Sequence, residues 1–294
     1  MEGGAAMTRA EFEERFFGIL KWISIAFFLV ITVFPLIYII SLSFKPISEL
    51  LQDPGNLFPS WKQITSFESY RAVLRPEDQG GQGFQVFIRN SLQVSLVTVA
   101  TTLTVGVMAA YAVARLDFFG RRTVNLGIII IYLFPAIVIA IPLFVLFSRI
   151  GLRSSLVSLM VVYLAQSLPV ALYMLRNYFE TIPIELEEAG MIDGLSRLGV
   201  IRRVTIPLAA PSIAATGLFV FMIAWNEFLY ALLFVLDNRD LWTISLGVQQ
   251  LDSIEVPRTL LMAGSVIISI PVILLFFIAE RFMTQGLTAG GVKG

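Results

Sequence analysis

Neither cysteine nor histidine occurs anywhere in the 294 residues. Their absence excludes disulfides, nucleophile and base systems built on Cys or His, and nearly every zinc or haem site. Charge is scarce, at 14% of residues, and it is balanced at 21 basic against 21 acidic side chains. No net field therefore argues for nucleic acid or for general binding to an anionic surface. No G-x-x-x-x-G-K-[ST] stretch is present, so the chain lacks the usual loop for cradling ATP phosphates. Internal repeats and low-complexity tracts are missing as well.

What the chain has in excess is apolar length. Hydrophobic residues make up 57% of it, and the mean hydropathy of +0.82 is far above what a soluble domain needs. The composition is that of a multi-span membrane protein. A hydrocarbon core of roughly 30 Å takes about 20 apolar residues per helix. Six stretches meet that length with few or no charges: Ile23–Leu42, Ser91–Ala114, Thr123–Phe147, Ser155–Leu175, Ser212–Leu236 and Thr259–Ala279. The expected fold is an all-α membrane protein of six transmembrane helices. Its divisions are a cytoplasmic segment 1–22, a first helix 23–42, an extracytoplasmic loop 43–90, a five-helix core 91–279 and a cytoplasmic tail 280–294. Pro35, Pro135, Pro142, Pro169 and Pro271 lie inside the stretches and read as kinks, because bundle neighbours can satisfy the freed backbone groups. The first stretch is too long for a signal-peptide core and has no A-x-A site behind it, so it is expected to be retained. Met7 is the expected natural start, with MEGGAA an upstream extension.

Orientation follows from Lys and Arg in the loops. With the N-terminus inside, the cytoplasmic segments hold twelve basic residues and the outer ones nine. Both termini and the hydrophilic break Ile182–Pro211 are then cytoplasmic. The outer loop 43–90, with Pro46, Pro54, Pro59 and Gly80–Gly83, is too polar to cross a membrane and too turn-rich for a separate domain.

The break at 182–211 has helical grammar. Pro183 suits a first-turn position, Glu185, Glu187 and Glu188 favour a helix N-terminus, and Asp193-Gly194 is a stop and turn. A second short helix is expected from Ser196, ending before Pro207. At about 100° per residue, Glu188 falls among Ile184, Met191 and Ile192 on one face. Such a face fits a helix plugged into a groove on another protein, where a cation meets the carboxylate. An amphipathic connector lying on lipid headgroups is the plainer alternative.

Ionisable residues are rare inside the spans, and Glu227 is the clearly interior one. Charge at that depth must face protein or water, so pathway lining is the functional reading and a hydrogen-bonded or protonated structural carboxylate the other. Trp225, Asn226 and Tyr230 surround it with groups suited to a polar solute: an aromatic face, an amide and a hydroxyl. Plain packing is the commoner role of an aromatic in a membrane helix. Asn90, just before the second stretch, reads as that helix's cap rather than a solute contact. Gln249, Gln250 and Asp252 in the last outer loop could receive a partner, a solvated loop being the safer assumption.

The residues Glu188-Ala189-Gly190, Gly194 and Val204-Thr205-Ile206-Pro207 resemble a specific signature. It is the E-A-A, three residues, G, nine residues, I-x-L-P pattern of permease subunits in binding-protein-dependent ABC importers. Gly190, Val204 and Ile206 depart from it while keeping small or apolar character. The stretches FPAIVIAIPLFVLFSRIGL from Phe134, WNEFLYALLF from Trp225 and GLTAGGVKG from Gly286 are similar to the carbohydrate importers of the MalG-type maltose permease group.

The resemblance implies an assembly in a bacterial plasma (inner) membrane. A second homologous permease completes the pathway, two ATP-binding cassette subunits bind ATP and Mg beneath it, and an extracytoplasmic sugar-binding protein or lipoprotein delivers substrate. By the same likeness Glu188, Ala189, Gly190, Asp193, Gly194 and Pro207 belong to the ATPase-coupling segment, and the C-terminal tail reaches between the ATPases. The chain would hold no cofactor or metal, touch lipid but no nucleic acid, and perform no covalent chemistry. The substrate implied is a disaccharide such as trehalose or maltose. A secondary transporter would normally carry several acidic residues or paired unwound segments. An intramembrane enzyme would need a catalytic pair that the chain lacks. A channel for a small polar solute is compatible with hydropathy but leaves the hydrophilic break unexplained.

Overall fold

The computed structural model describes residues 9–290 except 54, 57, 124–126, 128, 129 and 132–134. Most of the first half of the expected third span, the MEGGAA leader with Met7, and residues 291–294 lie outside the described residues. Every regular element among those described is helical.

The first helix, α1 (Arg9–Ser43), carries Pro35 within it, and its most apolar stretch buries no side chain inside the chain. Apolar on all sides is the pattern of a helix whose solvent is lipid. The loop that follows is not a disordered strap. It forms α2 (Ile47–Gln52), α3 (Trp61–Ser66) and α4 (Glu68–Leu74). Lys45 is fully buried at its start, donating to the Asn56 carbonyl, and Ser43 Oγ shares a 2.6 Å hydrogen bond with Tyr70 Oη.

At the centre stands α5 (Phe84–Arg115). It packs most extensively on α7 (Leu156–Thr181) and next on α11 (Ala210–Asn226), while α14 (Arg258–Gly290) covers α11 and α1. In lipid, burial from water does not drive helices together, so close backbone approach and hydrogen bonds must. The α5–α7 crossing has both. A side chain on Gly106 would touch Leu175 and Ala171 at 3.5 and 3.7 Å, and Thr102 and Ser167 share a buried 2.9 Å hydroxyl bond.

Where they are described, the expected spans fall on helical chain, but their limits differ from the expectation. The second begins at Phe84, seven residues before Ser91. The third is described as α6 (Ala136–Arg149) with Pro135 at its N-cap, so Pro135 marks a boundary there and not a kink. Pro35, Pro142, Pro169 and Pro271 lie inside helices, as expected. The fifth is broken: α11 ends at Asn226 and α12 (Leu229–Val235) begins after Glu227 and Phe228. Among the described residues, four single helices are long and apolar enough to cross a membrane.

The loops expected on the outer side close over one end of the bundle. Phe84, Phe87, Phe221, Trp225, Ile244 and Leu251 form a buried cluster, with α13 (Ile244–Leu251) lying against α14 and α5. Arg239 sits 4.6 Å over the Trp242 ring and 5.5 Å from that of Phe87, and pairs with Glu77. A side chain on Gly247 would fall 2.5 Å from the Phe87 ring, so that position must be bare for α13 to seat. Asn90 is not a cap, because α5 is already two turns old there. Its amide donates to the Asp240 and Trp242 carbonyls at 2.7 and 3.0 Å, tying α5 to the last outer loop.

Candidate functional site: the coupling segment and the break in the fifth span

At the opposite end of the bundle, α7 stops at Thr181 and α8 (Ile184–Ile192) follows after Ile182 and Pro183. Pro183 is the N-cap, one position before the helix, with Glu185 and Glu187 in the first turn, where the helix dipole favours carboxylates. Asp193 closes the helix and Gly194, at φ +88°, turns the chain in the left-handed region open to glycine. Ser196 caps α9 (Arg197–Val200), its Oγ accepting from the Gly199 amide at 3.3 Å. The helix does not end before Pro207. It continues through a wide π turn, Ile201–Thr205, into α10 (Ile206–Leu208), which contains Pro207. The run Arg197–Leu208 meets α11 at 79°, so the segment lies across the end of the bundle.

On α8, Glu188, Ala189, Ile184, Met191 and Ile192 are exposed, Ile192 to 86%. Asp193, Gly194 and Pro207 are exposed too, while Gly190 is buried. A side chain on Gly190 would meet Val204, Leu195 and Val200 at 3.4–3.5 Å, so a small residue lets α8 lie close on the returning chain. The carboxylate that turns inward is Glu187, 2% exposed. It accepts from Tyr111 Oη at 2.9 Å, Arg115 Nε at 3.0 Å and Thr205 Oγ1 at 3.3 Å. Arg115 also donates to the Ile182 carbonyl at 2.7 Å. One carboxylate thus joins α8, the end of α5 and the π turn, and Arg115 adds the end of α7.

The second location is the interrupted fifth span. Glu227 leaves the helix at φ −65°, ψ 128°, and its carboxylate turns back onto the start of α12. It accepts from the amides of Tyr230 at 2.9 Å and Ala231 at 3.2 Å, and from Tyr163 Oη at 2.7 Å. Ser245 Oγ donates to its carbonyl at 2.6 Å. The side chain therefore does the work of a helix cap within an apolar bundle. Tyr230 donates to the Ala136 carbonyl at 3.2 Å and borders an open groove of about 670 Å³, also lined by Gln166, Leu143, Pro169 and Ile223. Asn226 is exposed, its amide bonded to the Met222 carbonyl at 2.9 Å. Of the two roles set out for Trp225, this arrangement has the packing one: it is 1% exposed, stacked on Phe221, with Nε1 donating to the Ile268 carbonyl at 2.9 Å.

The family profile described as "Binding-protein-dependent transport system inner membrane component" matches residues 102–288. The chain belongs to that family. It is a transport component and not an enzyme. Among its relatives is the inner membrane ABC transporter permease protein YcjP of Escherichia coli, 37% identical over 92% of this chain and 94% of that one. The trehalose transport system permease protein SugB of Mycobacterium tuberculosis is 35% identical over 88% and 92%. The trehalose/maltose transport system permease protein MalG of Thermococcus litoralis is 34% identical over 90% and 93%. Among solved structures, a chain of a bacterial ABC transporter involved in import of the acidic polysaccharide alginate superposes with a TM-score of 0.77. The match is 24% identical and covers 95% of this chain and 99% of that one.

For the permease, sequence reasoning found the segment but not its anchor. Glu187 sits beside the motif residue Glu188 and looks like one more acid in a first turn. The available signal was Tyr111 and Arg115, a polar pair four residues apart on one face at the end of an apolar run. Gln249, Gln250 and Asp252 lie at or beyond the end of α13, with Asp252 paired to Arg258.

Proposed function

We propose that this permease forms half of the translocation pathway of an ATP-driven sugar importer and works by alternating access, its substrate a disaccharide such as trehalose or maltose. The observation that carries the reading is the exposed face of α8. Glu188, Ile184, Met191 and Ile192 present a carboxylate amid apolar side chains on a helix that is fixed to the bundle from behind. A groove on an ATPase subunit, with a cation facing Glu188, is the partner such a face fits. Ala189, Gly190, Asp193, Gly194 and Pro207 shape the segment around it. With no phosphate-cradling loop in the sequence, ATP and Mg belong on two such subunits. A second homologous permease completes the pathway and an extracytoplasmic sugar-binding protein delivers the solute. Both termini lie on the ATPase side.

Within the membrane, Asn226, Glu227 and Tyr230 are the polar side chains at the break, Tyr230 bordering the groove, and they are the partners proposed for hydroxyl groups of a sugar. Trp225 holds that break in position from behind. Names of the relatives support the sugar class, and the choice of trehalose or maltose takes support from the two whose names carry those sugars.

Co-purification from native membranes with mass spectrometry tests the reading. The expected result is a second permease, an ATPase and a sugar-binding protein recovered with this chain. Recovery as a homo-oligomer without an ATPase would overturn it in favour of a channel or secondary transporter.

A further inference from the structure

The geometry points to Glu187 and Arg115 as a positioning pair that transmits movement of α8 to α5, a role that rests on the proposed coupling function. The packing of α8 is chiefly against its own returning segment, α9 and the π turn. Its polar link to the membrane bundle is the Glu187 carboxylate, held by two donors on α5 one helical turn apart, Tyr111 and Arg115. Glu187 and Arg115 side chains are 3% and 10% exposed, so neither charge is screened by water. A buried carboxylate with three donors has little freedom to slide. When a partner seated on the outward face displaces α8, the adjoining Glu187 must carry the end of α5 with it or lose its donors. Arg115 bonds the Ile182 carbonyl as well, so the end of α7 moves in the same step. The face gripped from outside and the residue gripping inside are thus consecutive, Glu188 and Glu187.

The test uses the complete transporter in proteoliposomes, reading solute imported per ATP hydrolysed. In Glu187→Gln the shape remains and the charge is lost. The expected result is assembly with the ATPases retained and import per ATP reduced about tenfold, the cost of roughly one strong charge-assisted bond. Tyr111→Phe, which keeps the ion pair, is expected to lower the ratio about threefold. The double variant Glu187→Arg with Arg115→Glu is expected to recover much of what either single reversal loses. A wild-type ratio in both Glu187→Gln and Tyr111→Phe would overturn the pair's role while leaving coupling intact. If Glu187→Gln fails to assemble, Tyr111→Phe decides alone, and a wild-type ratio there again overturns the proposal. Failure of the wild-type chain to recover an ATPase would instead overturn the coupling function itself.

Discussion

The two ends of the bundle are built on opposite plans. At the outer end, aromatic stacking, two carbonyl bonds from Asn90, the Arg239 cation over two rings and a bare Gly247 lock α13 and the loops onto α5. At the other end, α8 leaves most of its side chains outside and is tied to α5 through one carboxylate. Many modest contacts spread over several elements resist displacement in every direction. One buried, charge-assisted link passes displacement on. The difference teaches that the first end is built to keep its shape, while the segment end is built as the proposed coupling to a partner would need.

Substitutions at four positions would break or sharpen that contrast. Trp225→Ala removes the largest fully buried side chain of the outer cluster and should cost about 3–5 kcal/mol, read as a large fall in the thermal midpoint in detergent. An unchanged midpoint would mean that the cluster does not hold the outer end. Gly247→Ala drives a methyl group to 2.5 Å from Phe87, and the repacking should cost about 1–3 kcal/mol by the same assay. Glu227→Ala uncaps α12 at a cost of about 0.5–2 kcal/mol. Glu227→Gln keeps an acceptor for the cap and should unfold nearly as wild type while importing less. Equal import by Glu227→Gln and wild type would leave the carboxylate a cap and nothing more. Glu188→Ala should leave the midpoint within about 0.5 kcal/mol of wild type, as for most exposed positions, yet lose ATPase recovery and import. Full recovery with normal import would remove α8 from the coupling argument.

Much of this contrast was legible before any coordinates. Apolar length marked the membrane helices because the bilayer leaves few alternatives, and Pro183 with Asp193-Gly194 bounded α8 to within a residue because backbone stereochemistry is local. The misses are tertiary. Nothing near Glu187 in sequence says that it will meet Tyr111 and Arg115, 76 and 72 residues away. The break after Asn226 has no proline or glycine to announce it, since Glu227 supplies the cap from its own side chain. Asn90 passed for a cap because hydropathy begins a span where apolar density rises. The helix itself begins earlier, at Phe84, where the outer loops give it aromatic neighbours.

The first helix carries a consequence for the membrane in which the chain sits. Its membrane span Phe12–Ser43 has 32 residues, about 48 Å of helix, against a hydrocarbon core of roughly 30 Å, and its first turns carry Glu13, Glu14, Arg15 and Lys21. Even a tilt of about 40°, the upper end of the usual range, leaves several ångströms over, so the Phe12–Phe17 end must emerge among the headgroups. Those charged turns fix the level at which α1 leaves the hydrocarbon, and the uncharged stretch behind them, Trp22–Leu42, has the length of the core itself.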